Sequence, residues 1–409
     1  MFKRIMAIVF IFICSTGAWM VLGGITMYRS TEQSGKLYQA VGSLWGSAQS
    51  QNAPTVYYQT KELKKVENWD NQRAAYVTKT EEQLADHPIT LEGSDILVDL
   101  ALEYRKKGLL WYSLYKVGFS GTYLVKNTTA ERRDIFFSYS FPVADGKFDS
   151  FKIAIDGADV RELQPTAGTL NFSFNLAPEE QKKVLISYVS QGQDQWWYRF
   201  GYNVSQIRNF NLVMNTDFPD IDFPENSIAP IEKVSSGKGW KLTWKYGSLI
   251  SGIQIGMDLP KKLNPGPFAG KVSFFAPVSL FLFFFLMFVI TSMKGIRLHP
   301  MNYFFLAAAF FSFHLLLSYL ADHLDIHAAM AVCSVVSIFL VVSYMRLVTG
   351  ARFAFIEAGI SQLVYLVLFS YAFFLEGYTG LSITVVCIVT LFVIMQLTGK
   401  IDWEAQFKK

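Results

Sequence analysis

Four groups of residues have the types and spacing to do chemistry. Asp322, His323, Asp325 and His327 form a dense group of metal-ligand types; imidazole and carboxylate suit zinc or a similar ion, and His323 and His327 would share a face if that segment were helical. His314 and Glu357 stand inside long apolar runs. Ionisable groups at such places normally face a bundle interior or a water-filled path, where they could carry a proton or a solute. Gly118-Phe119-Ser120-Gly121 has the form of the serine motif of intramembrane proteases, whose serine needs a histidine from another helix as its base. Trp196, Trp197, Tyr198 and Arg199 put aromatic surface beside a cation, a composition suited to a ligand or partner surface.

Each group also has a plainer reading, and the sequence favours it. The Asp322 to His327 turn has the acidic sign of a loop outside the membrane. Glu357 lies about one turn from the start of its helix, where the dipole favours a carboxylate and the interface is in reach. His314 can stay neutral and hydrogen-bond to a neighbouring helix. Ser120 falls in a β-patterned stretch rather than at a helix end, and residues such as Trp196 and Tyr198 more often fill a β core or rest on a membrane surface. The expectation is no catalytic, cofactor-binding or metal residues and no cofactor, with His314, Glu357, Asp322 and His323 kept as functional candidates.

The elements that would position these residues are mostly membrane helices. Lys3 and Arg4 precede an apolar run from Ile5 to Met27, longer than the apolar core of a secretory leader, so it reads as an uncleaved anchor. Cys14 follows the bulky Ile13 and reads as a packing or lipid-facing cysteine rather than a lipid attachment point. Five further runs cover Val272 to Met293, Tyr303 to Leu320, Ala328 to Tyr344, Phe353 to Leu375 and Leu381 to Thr398, each near the ~18 residues that cross a bilayer.

The charges between the runs set their direction. The nine Lys and Arg outside residues 28–271 are Lys3, Arg4, Lys294, Arg297, Arg346, Arg352, Lys400, Lys408 and Lys409, while the two opposite loops carry Asp322, Asp325 and Glu376. This is the positive-inside pattern at every short connection. It predicts six transmembrane helices with both termini cytoplasmic: an anchor over 1–28, a periplasmic domain over 29–271, a five-helix bundle over 272–399 and a cytoplasmic tail over 400–409.

Residues 29–271 read as mainly antiparallel β, sandwich-like. A helical piece is expected over Glu62 to Gln83. Beyond Gly108 come short aromatic and β-branched runs: Val117–Val125, Asp134–Phe141, Phe151–Ile155, Leu170–Leu176, Lys183–Val189, Trp197–Tyr202, Asn209–Met214, Trp240–Tyr246 and Ile253–Met257. Leu170, Phe172, Phe174 and Leu176 alternate with polar residues, as strands with one buried face do. Ala144-Asp145-Gly146, Asp156-Gly157 and Ser236-Gly237-Lys238-Gly239 supply turn chemistry, and Asn264-Pro265-Gly266-Pro267 links the domain to the next helix.

Composition excludes several classes. The chain has 409 residues, of which 51% are hydrophobic and 36 are Phe, with a formal net charge of +4. Between Tyr28 and Lys271 there are 28 Lys plus Arg against 27 Asp plus Glu, so this segment offers no electrostatic footprint for nucleic acid. Cys14, Cys333 and Cys387 all lie in apolar runs, which leaves the polar segment without a disulfide framework. No fixed-period repeat is visible.

A family resemblance then emerges from the order of short elements. Gly295-Ile296-Arg297-Leu298-His299-Pro300-Met301-Asn302-Tyr303 resembles the Ile-His-Pro step into a span in the CreD family of inner-membrane proteins. Leu317-Ser318 with Asp322-His323 is similar to that family's Leu-Ser-Glu-His element, Tyr344-Met345-Arg346 before Thr349-Gly350 to its Tyr-Leu-Arg turn, and Ile401-Asp402-Trp403 to its closing sequence. Further upstream, Lys107-Gly108, Tyr115 and Ser120-Gly121 resemble its Arg-Gly, Tyr and Ser-Gly series, and Ser43-Leu44-Trp45-Gly46 its Trp-Gly element. Glu357 departs from the pattern, standing where an apolar residue is expected.

The resemblance implies a Gram-negative inner membrane, a periplasmic domain, a role in cell-envelope integrity or stress and altered colicin tolerance, without an enzyme activity. Beside the lipid bilayer, the partner to expect is an envelope protein or glycan. The rival expectation is a transporter or channel using His314 and Glu357.

Overall fold

The structure, a computed structural model, describes residues 2–70, 75–108, 110–160, 163–201 and 205–399. Its chain divides into two compact units: Met1–Lys36 with Leu263–Lys409, and Leu37–Lys262. The tail over 400–409, with Ile401-Asp402-Trp403, lies outside the described residues, as does Tyr202.

The first unit is helical. Among the described residues six helices are long and apolar enough to cross a membrane: α1 begins at Phe2 and runs to Trp45, α2 is Pro265–Met293, α3 Pro300–Leu320, α4 Ile326–Thr349, α5 Ala351–Phe374 and α6 Thr379–Thr398. Their ends follow from local sequence. Pro265 and Pro300 open α2 and α3, positions where the missing N–H costs nothing. Asp325 caps α4 by accepting from the His327 backbone N–H at 3.1 Å. Gly350, with φ of +92°, ends it.

Between 44% and 61% of the most apolar stretch of α2 to α5 is buried, against 11% for α1 and α6. The middle four helices therefore form the core of the bundle, around Phe283, Phe310, Phe313, Met330 and Phe369. Helix α5 departs from regular α geometry at Ala354–Ala358 and Leu363–Leu368, which are π-helical. Such stretches shift the backbone ladder, and the Ser279 hydroxyl of α2 donates to the Tyr365 carbonyl there.

The second unit is mainly β, with fifteen strands among the described residues. An eight-stranded sheet runs in the order β13 (Glu232–Ser236), β14 (Gly239–Ser251), β12 (Ser205–Thr216), β4 (Gly93–Lys107), β5 (Leu110–Lys126), β10 (Gln181–Gln193), β7 (Phe148–Ile155) and β8 (Ala158–Asp159). All its pairs are antiparallel except β12 with β4. A four-stranded antiparallel sheet orders β3 (Ala75–Ile89), β2 (Thr55–Asp70), β6 (Arg133–Ser140) and β9 (Thr169–Leu176). The third sheet orders β1 (Gln49–Asn52), β11 (Gln195–Arg199) and β15 (Ile255–Asp258), with β1 parallel to β11. One apolar core draws on all three sheets, through residues such as Val117, Phe137, Ile186, Trp196, Leu212 and Met257.

The strand runs expected from the sequence fall wholly or largely in these strands, except Trp197–Tyr202, whose strand ends at Arg199. The helix expected over Glu62 to Gln83 does not form in its described residues, 62–70 and 75–83, with 71–74 lying outside the described residues: β2 pairs with β3 from Val56↔Ile89 to Asp70↔Ala75. Glu, Lys and Gln favour helix on their own, but β6 already holds Thr55 to Tyr58 as strand, and pairing continues outward from there. Register with β6 stops at Tyr58, and beyond it Leu63 and Leu84 are exposed at 73% and 62%.

Candidate functional site

The acidic turn before α4 is absorbed by structure. Asp322 pairs with Arg29 of α1 at 3.5 Å, and the Arg29 guanidinium lies 5.6 Å from the Tyr319 ring centroid. Asp325 caps α4, and His327 stacks on Phe374 at 4.7 Å. These ties aim Asp322, Asp325 and His327 at different partners, and the His323 side chain is exposed. Among the described residues no group of three His, Cys, Asp or Glu is placed to hold a metal ion.

His314 and Glu357 share no partner. His314 is buried, its Nδ1 3.1 Å from the Phe310 carbonyl one turn back, with the Trp19 ring edge-on at 5.7 Å. Glu357 forms an ion pair with Lys294 at the end of α2. Tyr344 near the end of α4 bonds Asn302 near the start of α3 at 2.8 Å, so α3 and α5 start at the same end of the bundle. At ~1.5 Å per residue, His314 then lies about 21 Å into its helix and Glu357 about 9 Å into its own.

The buried polar chain that does exist in the bundle carries no charge. Ser337 Oγ donates to the Ala309 carbonyl at 2.7 Å and accepts from Gln362 Nε2 at 2.8 Å, and Tyr365 and Thr390 share a bond of 2.8 Å. Nothing in the apolar patterning singled these residues out, because one polar side chain per turn does not break a hydrophobic run.

In the β unit, Ser120 sits in register between Leu97 of β4 and Ser187 of β10. Gly121 faces the core beside it, where a Cβ would meet the Tyr123 hydroxyl at 2.7 Å. The histidine of this unit is His87, on the β2–β3 hairpin. Its Nε2 lies 2.6 Å from Thr60 Oγ1 and 3.3 Å from Glu62 Oε1. Both partners use the same nitrogen, whereas a hydroxyl, imidazole and carboxylate relay needs one partner on each. Trp196 and Tyr198 are core residues, while Trp197 is half-buried with the Arg199 guanidinium 6.0 Å from its ring.

A built cleft lies where α1 ends against the corner between β10 and β11. Gly46 has φ of +121° and backs onto the Gln191 carbonyl so closely that a Cβ would overlap it. Gly192 packs against the Tyr115 ring, and a Cβ there would come within 2.9 Å of the Ser47 carbonyl. These glycines let the segment after α1 run against β10. Beside that contact opens a cleft of ≈680 Å³ between residues 38–48, the 143–147 loop and Gln191 and Gln193.

Gln193 is the one buried residue of the lining, 2% exposed, and its Oε1 has no hydrogen-bond partner. A buried amide nearby shows what satisfaction looks like: Gln51 donates to the Asn52 and Ser140 carbonyls at 2.8 and 3.1 Å and accepts from the Tyr188 hydroxyl at 2.8 Å. Gln49 donates to Ser190 Oγ and the Gln191 carbonyl at 2.8 Å, though its Oε1 is also unpaired. Trp45 is held on the cleft wall by Arg105, 5.2 Å from its ring. Lys107 fixes the helix end by donating to the Ala40 carbonyl at 3.4 Å.

The electrostatics around the corner are muted. Burial raises the Asp194 carboxyl above its usual range, against the Tyr38 hydroxyl and Lys261, with Asp258 adding to the rise. Burial likewise raises the Tyr115 phenol, keeping it a neutral donor to the Gln195 carbonyl at 2.8 Å. Asp145 and Lys147 in the lining carry opposite charges. The lining contains neither histidine nor cysteine and offers hydrogen bonds and aromatic surface.

The comparisons bear on the helical unit. Residues 272–404 match the family model of the inner membrane protein CreD. The CreD-like segment takes in most of α2 and all of α3 to α6, including the Gly295 to Tyr303 stretch that carries the sequence resemblance. No curated protein matches the chain. A protein of Legionella pneumophila described as nutrient binding is 10% identical with a TM-score of 0.28, covering 48% of this chain and 73% of that one. An M1 zinc metallopeptidase from Deinococcus radiodurans is 11% identical with a TM-score of 0.23, covering 41% and 42%.

Proposed function

We propose that this protein is a non-enzymatic component of the bacterial inner membrane that supports cell-envelope integrity, using a periplasmic β domain to bind an envelope component or partner. The reading places both termini in the cytoplasm and residues 29–271 outside, following the distribution of Lys and Arg along the sequence. The match of residues 272–404 to an inner-membrane family supports the location.

One contrast carries the choice of binding over transport. In the bundle, Glu357 is committed to Lys294 and His314 to its own helix backbone and Trp19. In the β unit, a cleft of ≈680 Å³ is lined by amides and aromatic side chains. The two residues that a transport path would use are held by separate partners, which favours binding by the β unit.

Deleting the protein from its host should raise permeability and detergent sensitivity under envelope stress and shift colicin tolerance, with the full chain restoring them. A deletion strain indistinguishable from its parent on all three would sink the envelope role. The transport reading is tested separately: reconstituted vesicles that carry a flux abolished by both His314→Leu and Glu357→Leu would replace binding with transport.

A further inference from the structure

We infer that one face of the β4–β5 hairpin, formed by Tyr104, Lys106 and Trp111 with Lys262 laid across it, is a docking surface for the anionic phospholipid headgroups of the leaflet that α2 enters. The inference rests on the envelope-binding reading and names acidic lipid as the envelope component.

Strand register sorts the hairpin into two faces. Tyr104 stands opposite Ser113, Arg105 opposite Tyr112, Lys106 opposite Trp111 and Lys107 opposite Leu110. Paired residues share a face and neighbours along a strand alternate, so Tyr104, Lys106, Trp111 and Ser113 lie on one side. The other side is covered. There Leu110 and Tyr112 pack with Leu37, Val41 and Trp45 from the last turns of α1, and Arg105 and Lys107 lie 5.2 and 5.9 Å from the Trp45 ring centroid. On the first side, Ser113 donates to the Pro260 carbonyl at 2.6 Å, which fastens the segment that follows. The Lys262 ammonium rests 3.7 Å from the Trp111 ring centroid and 5.8 Å from that of Tyr104. Tyr104, Lys106, Lys261 and Lys262 are exposed.

The chain keeps Lys262 near the headgroups. Helix α2 has 29 residues, and at ~1.5 Å per residue its length of ~43 Å matches the ~40–45 Å of a bilayer with its headgroups. Lys262 stands just before Leu263 and Asn264, which lead into Pro265 at the start of α2, a reach of at most ~11 Å.

Charge then selects the lipid. The hairpin tip gathers Arg105, Lys106, Lys107, Lys261 and Lys262; against them stand Glu103, paired with Arg105 at 2.7 Å, Asp194, within electrostatic reach of Lys261, and Asp220, within reach of Tyr104. Among the described residues no carboxylate is in ion-pair contact with Lys106 or Lys262. Resting on an aromatic ring leaves an ammonium its charge and its donors, and phosphate oxygens accept strongly from such donors. Tyr and Trp rings suit this depth, with an apolar body and a polar edge, and the lysine stem lies along them. An acidic protein would have to arrive by diffusion, whereas the tether to α2 holds this surface beside lipid at high effective concentration.

The test places the full-length protein in phosphatidylcholine nanodiscs that contain a diazirine-bearing phosphatidylglycerol, or diazirine-bearing phosphatidylcholine as reference, and maps labelled residues by mass spectrometry. Phosphatidylglycerol should label the residues around Tyr104, Trp111 and Lys262 well above the reference. Lys106→Gln with Lys262→Gln should lower that excess by about fivefold for each lysine removed, and Lys106→Arg with Lys262→Arg should keep it. Lys241→Gln with Lys245→Gln, an equal charge change at exposed positions of β14, should leave it unchanged.

No labelling of these residues by either lipid would overturn the membrane contact, and equal labelling by both would overturn the charge recognition. An equal loss in the Lys241 and Lys245 variant would reduce the effect to net charge and remove the site. Labelling erased by excess inorganic phosphate would make the ligand a free phosphate. An oligo-aspartate peptide that binds through Lys106 and Lys262 while both lipids label equally would make the partner an acidic protein. In the deletion host, a chain with Lys106→Gln and Lys262→Gln that restores detergent resistance in full removes this surface from the envelope role. A wild-type chain that restores nothing removes the envelope role itself, whatever the labelling gives.

Discussion

Lys294 and Glu357, 63 positions apart in sequence, form an ion pair that ties the end of α2 to the first turns of α5. The two partners are unequally exposed, 48% for the Lys294 side chain and 16% for Glu357. That asymmetry fixes what each substitution does. Glu357→Gln leaves a lysine that can reach water along its own stem, a loss of about 1 kcal/mol. Lys294→Met strands a carboxylate whose Oε2 already has no partner, and should cost roughly 2–3 kcal/mol. Unfolding titrations of the protein in bicelles read the difference, and equal costs for the two variants would contradict it.

Gly46 and Gly157 both have positive φ, at +121° and +84°, but only Gly46 has the Gln191 carbonyl where its Cβ would go. Gly157→Ala should therefore cost only the left-handed backbone penalty, about 1–2 kcal/mol. Gly46→Ala adds a backbone overlap that no rotamer relieves, and should cost about 3 kcal/mol or more. The midpoints of thermal unfolding, followed by near-ultraviolet circular dichroism, separate the two.

Gly46 also shows how far the sequence could be read. The Trp45-Gly46 step stood out through its family resemblance, yet its reason is a contact with β10 about 145 residues away, and local sequence cannot announce it. The six membrane helices were legible because a bilayer demands one long apolar run per crossing. Strands such as Thr169–Leu176 were legible because one covered face writes an alternation into the sequence. Strand β4 carries the same signature in Ile96, Val98 and Leu100, but Leu97 on the other face, exposed at 41%, blurs it. The outer part of β2 and β3 leaves Leu63 and Leu84 exposed, so no buried alternation stands out there and its Lys, Glu and Gln content pointed to helix.

The candidate site was less legible than the fold. His314, Glu357, Asp322 and His323 drew attention because ionisable groups are rare in apolar surroundings; the first three are engaged by nearby groups, and His323 is exposed on the turn. Gln193 and Tyr38 went unremarked, since a glutamine in a strand and a tyrosine after an anchor are ordinary in type. What marks Gln193 is its burial beside the cleft, and burial is a property of the fold. A local hint existed in Gln191-Gly192-Gln193, where a glycine between two amides marks close backbone approach.

Asp194 gives the β unit a pH dependence of predictable sign. Burial raises its carboxyl above the ordinary 3.8, so just above that value the folded chain keeps a proton that the unfolded chain has released. Stability must then fall as pH rises from 3.8 through the raised value. Asp194→Asn removes this slope, and its φ of +62° suits asparagine equally well. Asp156 behaves oppositely: the Lys183 backbone N–H and then Lys182 hold its carboxyl below 3.8, so its contribution is present above 3.8 and lost as pH falls below it. As pH rises above 3.8, wild type minus Asp194→Asn should decline in unfolding free energy, and as pH falls below 3.8, wild type minus Asp156→Asn should decline as well.

Ser337 and Gln362 test whether polar groups stabilise the bundle. Ser337 Oγ spends its proton on the Ala309 carbonyl at 2.7 Å and receives Gln362 Nε2 at 2.8 Å, while Gln362 Oε1 is buried without a partner. Ser337→Ala removes both bonds at once and leaves the whole amide unsatisfied in an apolar layer, at a cost of about 1–2 kcal/mol. Gln362→Leu takes out the amide and its orphaned oxygen together, leaves Ser337 bonded to Ala309, and should be neutral or stabilising by up to about 1 kcal/mol. The double variant should then be less damaged than Ser337→Ala alone, since the amide stranded by the serine's loss is gone. Bicelle unfolding of the four proteins closes the cycle; additive losses would mean that Gln362 finds another partner when Ser337 is removed.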